Sequence, residues 1–135
     1  MKIEDQVCSL ELAKKLKSLG IKQESAFYWG EFYNSSSSNP EKLLSELIFE
    51  DELEAKSEVD YLYNFQSYSA FTVAELGELL PQKVCWRGYV NRGEKWEFQF
   101  GDRFHGPFYV ASAKTEADAR AKMLIYLLEN KLITL

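Results

Sequence analysis

The chain has 135 residues, a net charge of −5 and an aromatic content of 15%. This length fits one domain, and we treat 1–135 as a single unit. Because 21 acidic residues outnumber 16 basic ones, general nucleic-acid binding is disfavoured, since it depends on neutralising phosphates. No apolar run approaches the roughly 20 residues that cross a bilayer. The first residues lack an apolar signal-peptide core, so we expect a cytoplasmic protein without a membrane anchor.

Two cysteines, Cys8 and Cys85, are widely separated in the chain. Neither belongs to a CxxC pair or to a Cys/His cluster, which are the arrangements that bind zinc or carry redox chemistry. We therefore expect both thiols to be reduced and buried.

The first predicted element is a helix that begins after Ser9 and ends at Gly20. Its apolar residues Leu12, Leu16 and Leu19 recur at i, i+4 and i+7, which places them on one face. Glycine is the common residue just past a helix, because it adopts the left-handed conformation that ends one.

The middle of the chain is read in two ways. The aromatic run 27–33 predicts a strand, and the polar run 35–40 predicts a loop. We favour a helix over 40–48, because an Asn-Pro pair suits its first positions and leucines follow at helical spacing. A rival interpretation makes 47–49 a short strand that turns at the following acidic pair.

Residues 34–68 form a variable, insert-like segment with a strongly acidic centre. Positions 41–60 carry eight carboxylates against Lys42 and Lys56. A charge run of this kind is typical of a solvated face. Because charge complementarity steers association, it is also a candidate surface for a protein partner.

A second helix is predicted from Thr72 by a capping box. The Thr72 hydroxyl and the Glu75 carboxylate are spaced to satisfy each other's exposed backbone amides. Leu76, Leu79 and Leu80 would form its buried edge, and a proline follows them.

Three strands are predicted over 84–90, 95–100 and 108–112. The middle one alternates apolar and polar residues, the pattern of an antiparallel strand that is buried on one face. Its buried face would consist of Trp96, Phe98 and Phe100.

The last helix is predicted to begin at Thr115. Glu116 and Asp118 favour its amino end and pair in the acid-first order with Arg120 and Lys122, four residues on. The predicted buried stripe consists of Ala117, Ala121, Leu124, Ile125 and Leu128.

These elements predict an α+β fold with an antiparallel sheet of four or five strands and helices mainly on one face. From residue 70 onward the order is α-β-β-β-α, which is similar in topology to a double-stranded-RNA-binding domain. Those domains bind phosphates with basic residues at the start of their second helix. Acidic Glu116 and Asp118 occupy that place here, so the resemblance implies the topology and not the binding of duplex nucleic acid.

Catalytic and metal-binding signatures are missing from the sequence. His105 is the one histidine, and no nucleophile-elbow motif accompanies it. The acidic run around Asp51 lacks the spacing of a calcium loop, and no glycine-rich phosphate loop occurs. We therefore predict a non-enzymatic protein without a metal or cofactor.

A basic and aromatic set in the strand region is the best candidate for ligand binding. Aromatic rings stack on bases, and arginine pairs with phosphate, so this set would suit a small anionic nucleotide. Because strands alternate, part of the set must face inward. The candidate residues are Trp86, Arg87, Tyr89, Arg92, Lys95 and Arg103.

Several blocks of the chain, at 7–17, 22–29, 69–81 and 115–129, resemble a family of small phage- and prophage-encoded proteins of uncharacterised activity. The resemblance implies an accessory protein that acts by binding to a host or phage protein or to itself, as a homo-oligomer. Sequestration of a small anionic nucleotide and weak binding to double-stranded nucleic acid are the alternatives.

Overall fold

The computed structural model describes residues 2–34, 42–53, 63–81, 85–90, 95–102 and 106–134. Short 3-10 turns lie at Ile3–Asp5 and Glu50–Glu52. The helices are α1 (Leu10–Ser18), α2 (Val73–Leu79) and α3 (Glu116–Glu129). The strands are β1 (Phe27–Asn34), β2 (Lys42–Phe49), β3 (Tyr63–Ser69), β4 (Cys85–Val90), β5 (Lys95–Asp102) and β6 (Gly106–Ala113).

The α+β class and the α-β-β-β-α order of the C-terminal part, α2-β4-β5-β6-α3, are confirmed. The strands do not form one sheet of four or five. In the described residues they form two antiparallel sheets of three strands, with orders β2-β1-β3 and β4-β5-β6. β1 is the central strand of the first sheet and pairs with β2 along one edge and with β3 along the other; β5 is the central strand of the second.

The predicted helix over 40–48 is wrong, because β2 occupies Lys42–Phe49. Its register with β1 sets Ile48 opposite Tyr28, and both side chains are buried. The leucine spacing fits a helix locally, but pairing along the aromatic strand β1 satisfies the backbone and buries Ile48 at the same time. The rival strand at 47–49 had the right type, and the predicted loop at 35–40 lies outside the described residues.

The glycine predicted to end α1 and the capping box predicted to begin α2 are both present. Gly20 follows α1 with a left-handed φ of 91°. Thr72 accepts a hydrogen bond from the Glu75 amide at 3.2 Å, and the Glu75 carboxylate accepts one from the Thr72 amide at 2.8 Å. Leu79 departs from the predicted buried edge, since its side chain is 40% exposed.

Helix α3 is buried over most of its circumference instead of along one stripe. It packs on β5 and β6 and is contacted by α1 and α2 as well, so a second set of side chains is needed to meet the helices. A face that includes Lys122 and Glu129 remains exposed, but burial this wide is typical of a helix in a core. Its buried residues are Ala117, Ala119, Ala121, Met123, Leu124, Ile125 and Leu127, and the predicted Leu128 is only half-buried.

The amino end of α3 is also an attachment point for α1. Thr115 caps the helix by accepting from the Asp118 amide at 3.1 Å. The Asp118 carboxylate accepts from the backbone amide of Ser9, the residue before α1, at 2.7 Å. The predicted Glu116–Arg120 pair is present at 3.3 Å. One carboxylate therefore joins segments separated by 109 positions in the sequence.

Substituting Gly30 with alanine should destabilise the protein. The added methyl group would collide with the Ile48 side chain and lie 2.9 Å from a Phe65 ring carbon. Overpacking of this kind costs about 1–3 kcal/mol, measurable by urea denaturation. Gly77→Ala is the control, because its methyl group meets only the end of the flexible Arg120 side chain and its helix propensity rises. Equal stability of the two variants would contradict the packing described for β1.

Replacing Asp118 with asparagine should change how stability depends on pH. Burial raises the pKa of the Asp118 carboxyl above its ordinary 3.8. The folded protein therefore holds this proton more strongly than the unfolded chain, and the carboxyl's contribution to the free energy of unfolding falls as pH rises above 3.8. The difference in unfolding free energy, native minus Asp118→Asn, should fall across that window in parallel denaturation series. A pH-independent difference would contradict the burial of this carboxylate.

Candidate functional site

A cleft of about 820 Å³ opens where the segments that follow α1, α2 and α3 meet. One wall comes from the chain after α1, a second from the end of α2, and a third from the residues after α3. It is lined by Gly20, Ile21, Lys22, Glu24, Ser25, Phe71, Glu75, Glu78, Leu79, Leu80, Pro81, Leu124, Ile133 and Thr134.

The floor of the cleft is apolar and belongs to the core. Ile21, Phe71, Leu80 and Leu124 line it, and each is at most 4% exposed. Leu79 stands at its edge with 40% of its surface exposed. A partly exposed leucine above a packed apolar floor is an arrangement that accepts an apolar side chain from a ligand.

Glu75 holds two walls of the cleft together. Besides its role in the capping box, its Oε1 atom accepts from the Ser25 hydroxyl at 2.7 Å. Its Oε2 atom accepts from the Ala26 amide at 3.2 Å. The carboxylate thus fastens the start of α2 to the segment that leads into β1, and the rim is rigid at this point.

The rim carries more acid than base. The side chains that line the cleft include three carboxylates, those of Glu24, Glu75 and Glu78, against the ammonium of Lys22. Lys22 forms an exposed ion pair with Glu24 at 3.0 Å. Glu78 is exposed and has no hydrogen-bond or ion-pair partner in the described part of the chain.

The third wall depends on how α3 ends. Lys131 has a left-handed φ of 55°, and the Leu132 amide donates to the Leu127 carbonyl at 2.9 Å. This is the hydrogen bond of a Schellman motif, which reverses the chain after a helix. The reversal brings Ile133 back against the core, beside the floor of the cleft.

The predicted ligand-binding set is described only in part. Arg92 and Arg103 lie outside the described residues, and for β4 only the backbone is described. Along β4, Arg87 and Tyr89 pair in register with Phe98 and Trp96, whereas Trp86 pairs with Gln99.

Because strand residues alternate between faces, Arg87 and Tyr89 occupy positions on the α3 side of the second sheet, with Phe98. Trp86 occupies a position on the other side, which it shares with the exposed Lys95. As a single surface, the set remains a prediction.

Strand β6 presents an exposed phenylalanine beside a register shift. Phe100 pairs with Tyr109 and Gly101 with Pro107, so Phe108 is left without a register partner. Its ring meets that of Phe100 edge-on, with ring centres 6.1 Å apart, and it is 67% exposed. Proline lacks an amide hydrogen, and bulges and lysines also protect sheet edges. The Lys122 ammonium donates to the Ser112 carbonyl at 2.9 Å, and this edge is therefore poorly suited to pairing with another strand.

A buried carboxylate, Glu31, lies in the centre of the first sheet. It forms an ion pair with Lys14 of α1 and accepts a hydrogen bond from the Tyr33 hydroxyl. The hydrogen bond to Glu31 raises the pKa of Lys14 and of Tyr33. The group is internally paired and ties α1 to β1, so its role is structural.

The thiol of Cys8 is free and buried, as expected. Burial raises its pKa to about 12, which keeps it protonated and unreactive at neutral pH. The side chain of Cys85 is not among those described. In the described residues, no group of three His, Cys, Asp or Glu side chains is placed to hold a metal ion, and no helix is long and apolar enough to cross a membrane.

The cleft could not be predicted from the sequence. Its lining comes from 14 positions spread over residues 20–134, and their convergence depends on the packing of α1 and α2 against α3. One local signal is present in the sequence. Three apolar residues, Leu79, Leu80 and Pro81, follow one another at the end of a short helix, which is more than its buried face needs.

Glu75→Gln should lower the free energy of unfolding. A neutral amide keeps the capping oxygen, but its NH₂ group cannot accept from the Ala26 amide. Because the Ala26 amide is exposed to water, loss of this hydrogen bond should cost about 0.5–1.5 kcal/mol, which thermal and urea denaturation would measure. Glu78→Gln is the matched control and should stay within about 0.5 kcal/mol of the native protein, as surface substitutions do. Similar effects at both positions would contradict the bridging role of Glu75.

Comparison with known proteins supplies no relative from which a function could be inferred. No protein-family model, no curated protein sequence and no solved structure matches this chain.

Proposed function

We propose that this protein is a non-enzymatic accessory protein that acts by binding another protein, and that the contact is made in the cleft between the ends of α1, α2 and α3. The observation that carries the proposal is Leu79, a large apolar side chain left 40% exposed at the edge of an apolar cleft. Scattered exposed leucines need no explanation, but one beside a concave apolar floor supports a binding site.

The size of the cleft supports an occupant larger than a single group. At about 820 Å³, it falls within the range of about 300–1,000 Å³ typical of sites that bury most of a ligand. It would hold one or two large apolar side chains of a partner segment. Its rigid rim, fastened by Glu75, means that little ordering entropy is lost on binding.

The resemblance to phage- and prophage-encoded proteins supports a setting for this function. An accessory protein from a mobile element would meet its partner in the cytoplasm of the host cell, and we propose a host protein as that partner. The Ser25 hydroxyl and the Glu75 carboxylate are paired in the cleft, but Ser25 is buried and Glu75 also accepts from two backbone amides. This structural setting of the pair supports binding over catalysis as the role of the cleft.

Nucleotide sequestration has weaker support. Of the four basic residues in the predicted ligand-binding set, Lys95 is the one whose side chain is described. Arg87 occupies a position on the opposite face of the sheet. Weak duplex binding is weaker still, because Asp118 and Glu116 stand at the amino end of α3, where a phosphate would have to approach.

Peptides that bind the native protein are first selected from a random-peptide display library on the immobilised protein. Leu79→Ser should weaken the binding of these peptides. Loss of an apolar side chain from a contact is worth about 1.5–3 kcal/mol, which corresponds to a rise in Kd of about tenfold or more. Fluorescence anisotropy with the selected peptides would measure it.

Leu132→Ser is the matched control, because Leu132 is 49% exposed and does not line the cleft. Its peptide affinity should equal that of the native protein. If Leu79→Ser left the affinity of every selected peptide unchanged, the cleft would not be the binding site. Far-ultraviolet circular dichroism establishes that both variants are folded.

A further inference from the structure

The cleft has an electrostatic character of its own, distinct from its apolar floor. Its lining includes three carboxylates and one ammonium, and that ammonium, on Lys22, already pairs with Glu24. Glu75 is held in place by hydrogen bonds from Thr72, Ser25 and Ala26. The field at the cleft is therefore negative, and Glu78 is the exposed charge best placed to meet a partner.

Backbone dipoles add to this field. Gly20 and Ile21 follow the carboxyl end of α1, and Leu80 follows that of α2. The carboxyl end of a helix carries partial negative charge and favours cations. These short helices contribute less than the carboxylates, but their contribution has the same sign.

Resting on the proposed function, we infer that the occupant of the cleft is a basic amphipathic segment of the partner protein. An apolar side chain of that segment packs on Leu79 and the cleft floor, while a flanking Lys or Arg pairs with Glu78. Charge complementarity between rim and segment selects the partner, because an acidic segment would be repelled by the same carboxylates.

A second copy of this chain fits the cleft less well. The chain carries a net charge of −5, and its basic helix α1 already uses Lys14 and Lys15 in ion pairs with Glu31 and Glu129. Self-association through the cleft would bring two molecules of net negative charge together.

The experiment uses the peptides selected on the native protein and, for each, a counterpart with Gln in place of every Lys and Arg. We expect the selected sequences to combine apolar and basic residues. The Gln counterparts should bind about tenfold more weakly, a typical consequence of losing a charged pair at an interface. Glu78→Lys should weaken the original peptides to a similar degree and flatten the dependence of their affinity on salt.

Glu11→Lys is the matched control, since it makes the same charge change on an exposed residue in the first turn of α1. By the helical rise, that position is about 10 Å along α1 from Ser18, the residue at the cleft end of the helix. It should alter peptide affinity far less than Glu78→Lys. An equal loss in both variants would mean general attraction to an acidic protein and would overturn the inference.

The two proposals fail in different ways. In one outcome, the selected peptides are neutral or acidic, and their affinity falls with Leu79→Ser but is unchanged by Glu78→Lys. This outcome would overturn the inference of a basic partner segment and would leave the cleft as a binding site. If Leu79→Ser left the affinity of all selected peptides unchanged, both the proposed binding site and the inferred basic partner segment would be overturned. A concentration-dependent dimer in sedimentation velocity that Leu79→Ser dissociates would identify a second copy as the occupant and overturn the inference.

Discussion

The burial of α3 over most of its circumference is the constraint on which the rest of the structure depends. Ala117, Ala119 and Ala121 alternate with larger residues along its first turns. Their small side chains let β5 and β6 approach from one side and α1 and α2 from the other. Removing one large buried side chain such as Leu124 would leave a cavity shared by several elements, and so this helix acts as the centre of the core.

Polar contacts at the ends of the helices orient the elements around this centre. The Asp118 carboxylate accepts a hydrogen bond from the backbone amide of Ser9, which fixes where α1 starts relative to α3. Glu75 binds the Thr72 amide and the segment at Ser25 and Ala26, which fixes α2 relative to β1. The amides of Ser9 and Thr72 are half-buried, and leaving them without a partner would cost free energy. The cleft follows from these contacts. They fix the helices near their first residues, and a gap remains where the segments after the helices come together.

This arrangement explains why apolar surface remains exposed at the cleft. The Schellman turn at Lys131 returns Ile133 to the core, while Leu79, on the last turn of a seven-residue helix, stays at the edge. The floor is fully packed, so the cleft does not result from a missing core residue. A partner that fills it would extend the core outward and would be selected by the negative rim.

Local sequence determined the elements whose signals are self-contained. The capping box at Thr72 and Glu75, the stop at Gly20 and the alternation of Trp96 and Phe98 each predicted what the structure contains. These features depend on residues within a few positions, because caps, turns and strand faces are satisfied locally. The acid-first pair Glu116–Arg120 belongs to the same class.

Tertiary structure decided what depended on distant partners. The leucines of 43–48 suit a helix until β1 supplies a strand to pair with, and Ile48 is buried only in that pairing. The division into two sheets, the wide burial of α3 and the cleft around Leu79 follow from contacts between segments far apart in sequence. No local pattern encodes them, because side chains of the same type and spacing are compatible with either a surface or a core until the surrounding elements are in place.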